Sequence, residues 1–135
     1  MKKNIPKKMA TIGGVLIALS GLLNVLLGIQ IGAWYYEVYP GGNMGHVGIL
    51  AGVAAVVLGL AIIFVIAPLY NKGQPAYHLL AGILTIVLGH IGAIAGAIFV
   101  GTLGAIMCYI GGIWILWTGI QPSLPLKSRD KMIKD

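Results

Sequence analysis

Between Lys72 and Lys127 the chain runs for 54 residues without an Asp, Glu, Lys or Arg. As one helix, at about 1.5 Å per residue, that stretch would measure about 81 Å against a hydrocarbon core of roughly 30 Å. It therefore has to fold back on itself inside a membrane, which predicts two spans. Two further uncharged runs, residues 9–36 (28 residues) and 38–71 (34 residues), each exceed the ~18 apolar residues that mark a membrane helix. The chain is 59% hydrophobic and 9% charged, where a soluble domain has about 45–50% and about 25%. So much apolar surface cannot be hidden in a soluble fold of 135 residues.

The expected fold is an all-α integral membrane protein, an up-down bundle of four transmembrane helices with spans at 9–31, 46–67, 76–92 and 97–119. These make one membrane domain over 9–120, between a basic N-terminus (1–8) and a tail (121–135). Residues 32–45, with Trp34, Tyr35, Tyr36, Tyr39 and the Pro40-Gly41-Gly42 turn, read as an interfacial loop. The segment from Pro68 to Pro75 reads as the break between the second and third spans, and 92–96 as the turn between the third and fourth. The lysine-rich start resembles a signal peptide, but the run 9–31 is longer than an h-region of about 7–15 residues and no small-x-small cleavage site follows it. It reads as a retained helix, with cleavage near Ala33 as the alternative.

Lys2, Lys3, Lys7, Lys8, Lys72, Lys127, Arg129, Lys131 and Lys134 all fall on one side of this four-span arrangement. The positive-inside rule makes that side cytoplasmic, with both termini there in a multi-pass cell-membrane protein. Basic residues that flank apolar spans do not form a nucleic-acid surface.

Glycine recurs at intervals of seven: Gly14, Gly21, Gly28; Gly45, Gly52, Gly59; Gly82, Gly89, Gly96; Gly104, Gly111. Nine glycine pairs have this separation, against about 3 for random placement. Such a period keeps one stripe against a partner only in a left-handed supercoil, and small residues let backbones approach closely. These glycines, with Asn24 and Thr85 on the same stripes, are the expected helix-packing residues. The fourth stripe continues through Met107, Trp114 and Thr118. The alternative is that glycine is simply common in membrane helices.

No phosphate-binding glycine loop, Cys-x-x-Cys or His-Glu-x-x-His motif occurs in the sequence, so no catalytic residue is assigned. The single cysteine, Cys108, reads as a small buried apolar residue. His46, His90 and Glu37 fall toward the outer ends of their segments and would suit a transition metal or, for the two histidines, a haem. Simple solvation of histidines at the ends of spans, with Glu37 among interfacial aromatics, explains them better. His78 lies at the opposite end.

Residues Gln74, Pro75 and Ala76, then Gly82, then the run from Ala95 to Gly104 and Gly111-Gly112-Ile113-Trp114 resemble a prokaryotic family of uncharacterised small four-helix membrane proteins, over about residues 70–120. The resemblance implies four spans and brings no activity or functional residues. The expected role is an accessory or structural subunit of a membrane complex, or a homo-oligomer, without catalysis or a cofactor. A haem- or metal-binding redox subunit using His46 and His90 and a small oligomeric channel or transporter are the alternatives.

Overall fold

The computed structural model describes residues 4–38, 44–96 and 98–121, with side chains over 4–30, 45–96 and 99–121. The chain forms four long helices: α1 (Ile5–Val38), α2 (Met44–Ala61), α3 (Pro75–Ala95) and α4 (Ile98–Ile120). α2 continues through a π-helical turn (Ile62–Ile66), a short α-turn (Ala67–Leu69) and a 3-10 turn (Tyr70–Lys72). With that extension, all four are long and apolar enough to cross a membrane. In hydrocarbon the backbone has to satisfy its own hydrogen bonds, and an uncharged run does so as helix.

Three boundaries differ from the sequence reading. First, α1 extends to Val38, so Trp34, Tyr35, Tyr36 and Glu37 are helical in backbone and not part of a loop. Second, the helix passes through Pro68 and does not break there. Pro68 has no N–H to offer the Phe64 carbonyl and its ring crowds that oxygen. A widened turn takes up the misfit just before it, with the Ala67 N–H bonded to the Ile62 carbonyl. The span ends at Gly73, whose φ of 69° is left-handed, and α3 restarts with Pro75 in its first turn, where a missing N–H is harmless.

Third, α3 is helical to Ala95 and α4 begins at Ile98, so the helices reach further into the expected 92–96 turn. The last carbonyls of a helix lack intrahelical donors. Asn24 of α1 supplies one, its Nδ2 donating to the Ala95 carbonyl at 2.9 Å. Ser20, one turn earlier on α1, sits directly against Gly96, so α1 provides the wall on which this apolar turn closes. The segments 39–43 and 122–135, including the expected end of the last helix at Pro122 and the tail, lie outside the described residues.

Neighbouring helices run antiparallel. Gly14 lies opposite Gly59, Gly21 opposite Gly52, and Gly28 opposite Gly45, one number rising as the other falls. A β-carbon on Gly21 would lie 2.5 Å from the Gly52 oxygen, well inside the optimum of about 3.5–4.0 Å between carbon atoms. Adjacent glycines serve two neighbours at once, because consecutive residues point about 100° apart around a helix. Thus Gly13 faces Cys108 and Gly104 of α4 while Gly14 faces α2, and Gly111 faces Pro6 and Ala10 of α1 while Gly112 faces Gly82 and Ile86 of α3.

The core is layered. Ala10, Ile66, Ala81 and Ile115 form one cluster with a residue from each span. Ile17, Ala55, Ile62 and Cys108 form the next. Ile17 is central: its side chain is the nearest neighbour of Gly92 and also abuts Gly104.

Candidate functional site

The N-terminal end of α1, the turn after α2 and the C-terminal end of α4 meet at one end of the bundle. Lys7 Nζ donates to Asn71 Oδ1 at 3.1 Å, and Gly119 abuts His78 and Leu79. The ends that carry the described lysines therefore share one face.

That face holds a recess of about 660 Å³ lined by Asn4, Pro6, Tyr70, Asn71, Gly73, His78, Trp114, Trp117, Thr118 and Gln121. Its floor is fixed. His78 stacks on Tyr70 with ring centroids 4.7 Å apart, and its Nε2 is 3.1 Å from the Tyr70 carbonyl oxygen. Lys72 Nζ stands 4.7 Å from the centroid of the Tyr77 ring, a cation–π contact worth about 0.5–1 kcal/mol where exposed. Trp114 and Trp117, one turn apart on α4, are 41% and 46% exposed and form the outer wall. The sequence placed Trp114 on a packed stripe; instead it turns out of the seam.

A second, apolar groove of about 480 Å³, lined by Ile110, Ile113, Trp114 and Trp117, shares both tryptophans with the recess. A third, lined by Asn4, Lys7, Lys8, Thr11 and Ile12, shares Asn4. The recess is not visible in the sequence. Its walls come from residues 4 to 121, and only the return of both chain ends to one face assembles them.

His46 and His90, the candidate ligands of the alternative metal or haem reading, lie on α2 and α3. His46 is exposed at the start of α2. His90 is exposed on α3, and its Nδ1 is hydrogen-bonded to the Tyr109 hydroxyl of α4. The Glu37 side chain lies outside the described residues. Among the described residues no three His, Cys, Asp or Glu side chains gather at a metal site. Of the expected packing polar groups, Asn24 reaches another helix. Thr85 does not: its hydroxyl donates to the Ala81 carbonyl of its own helix at 2.7 Å.

Comparison with protein-family models, curated proteins and solved structures returns no match. The site is therefore read from its own chemistry.

Proposed function

We propose that this chain is a non-catalytic multi-pass membrane protein that serves as a structural or accessory component of a membrane assembly, with its basic end in the cytoplasm. The observation that carries this reading is how the buried polar groups are used. Ser20 and Thr85, the buried polar side chains among the described residues, donate to carbonyls of their own helices at 2.8 Å and 2.7 Å. The two buried core clusters are built from Ala, Ile and Cys108. Groups committed in this way offer no polar path and no reacting atom, whereas a transporter needs ionisable or unwound segments at its centre.

The cytoplasmic assignment is supported by the one-sided lysines and arginines. The seven-residue glycine period supports a left-handed twist of the bundle. The glycines of the described spans face atoms of this same chain, so any partner or second copy meets aliphatic and aromatic outer faces instead. Leu50, Phe64 and Phe99, 70%, 72% and 86% exposed, belong to that outer surface.

The test is the full chain purified in mild detergent, followed by apparent mass, visible spectrum and metal content. A colourless protein in a complex larger than 14.1 kDa, with one fixed stoichiometry of subunits, is expected. A Soret band or stoichiometric metal that disappears in His46→Ala and His90→Ala would establish the redox reading instead.

A further inference from the structure

We infer that the recess at the basic end and the groove beside it form one binding site for an anionic phospholipid, with the headgroup in the recess and an acyl chain along α4. The inference rests on the four helices lying in a bilayer and goes beyond the accessory role. The geometry is amphipathic in the way a phospholipid is. The recess offers the side-chain amides Asn4, Asn71 and Gln121 and the Thr118 hydroxyl, and it shares Trp114 and Trp117 with the neighbouring groove lined by Ile110 and Ile113. A free phosphate or sugar would use the recess and leave the groove empty; a lipid fills both.

The sign of the ligand's charge follows from the rim. Lys7 is bonded to Asn71 in the recess wall, Lys7 and Lys8 line the adjoining groove, and Lys72 follows Asn71 in the chain with its Nζ over the ring of Tyr77, outside the recess lining. No Asp or Glu lies between 38 and 129 in the sequence, so none faces these lysines from the described parts of α2, α3 or α4. The recess lining itself is neutral and polar, and the lysines beside it supply the positive charge that draws an anionic headgroup at a membrane surface. Tryptophan pairs at headgroup depth suit the boundary between headgroup and chain.

The two wall tryptophans make the site measurable, because the chain has three tryptophans and Trp34→Phe leaves only Trp114 and Trp117. The full chain carrying Trp34→Phe is reconstituted with lipids brominated on the acyl chains, either phosphatidylglycerol or phosphatidylcholine, and fluorescence quenching gives their relative affinities. The anionic lipid is expected to bind about five-fold or more tightly, since one lysine near an anionic lipid is worth about 1 kcal/mol. Lys7→Gln with Lys72→Gln should bring the ratio toward one, whereas Lys131→Gln with Lys134→Gln in the tail should leave it unchanged. Equal quenching by the two lipids, or equal loss of selectivity in the tail variant, would overturn the proposal. So would selectivity that appears only after removal of residues 122–135, which would make the tail the occupant of the recess.

Discussion

Asn24 carries the clearest energetic load of any single polar residue in the spans. Its amide meets the Ala95 carbonyl, which is left without an intrahelical donor by the end of α3. Asn24→Leu strands that oxygen in apolar surroundings. Measured interhelical hydrogen bonds in membranes average about 0.6 kcal/mol, and an unsatisfied buried group costs about 1–3 kcal/mol, so a loss of about 1 kcal/mol is expected. Thr85→Val should cost less, because the hydroxyl it removes bonds only to its own helix. Reversible unfolding in mixed micelles measures both, and a larger loss at Thr85 would contradict this assignment. Asn24 was legible in the sequence as a rare polar residue in an apolar run. Its partner was not, because a backbone carbonyl becomes an acceptor only where a helix ends. Ser20 gives a weaker signal in the sequence: it lies four residues from Asn24, on the same face of α1.

At the scale of the helices, the glycines make the sharpest prediction. Leucine at Gly21, Gly52 or Gly89 would drive a side chain into the facing helix, where a β-carbon alone already comes within 2.5–2.6 Å of the nearest backbone or side-chain atom. Overpacking of this kind typically costs about 1–3 kcal/mol. The seven-residue series alone would make Gly13, which lies off it, a tolerant control. The structure removes that contrast, since a β-carbon on Gly13 would lie 2.5 Å from Cys108 Sγ and 2.8 Å from the Cys108 nitrogen. Gly13→Leu should therefore be as damaging as the other three. Ala54→Leu, on the exposed side of α2, is the appropriate control. Thermal unfolding in detergent compares the five variants, and equal tolerance at all positions would mean that the close approaches do not hold the bundle together. A single period finds one seam per helix, whereas Gly13 and Gly112 serve a second seam that the period does not describe. The boundaries were hidden for a related reason. Pro68 reads as a break until a π-turn absorbs it, and the α3–α4 turn reads as 92–96 until Asn24 supports the helix to Ala95.

For the whole molecule, the number of spans was legible because uncharged length is conserved on folding: 54 residues cannot cross a bilayer of roughly 30 Å only once. The recess was not legible, because it is a product of closure, with Asn4 and Gln121 brought to the same cavity. The account depends most on that closure, which puts the Lys72 turn and the start of α1 on one side, and on that side being the cytoplasm. The direct measurement is labelling of single cysteines in intact cells by a membrane-impermeant thiol reagent, in a Cys108→Ala background that retains the β-carbon packed against Gly89. A cysteine at Asn43, between α1 and α2 in the sequence, should label from outside, and one at Lys72 should label only after the membrane is opened. Labelling of both positions from outside, or of Lys72 alone, would contradict the four-span arrangement with its basic end in the cytoplasm.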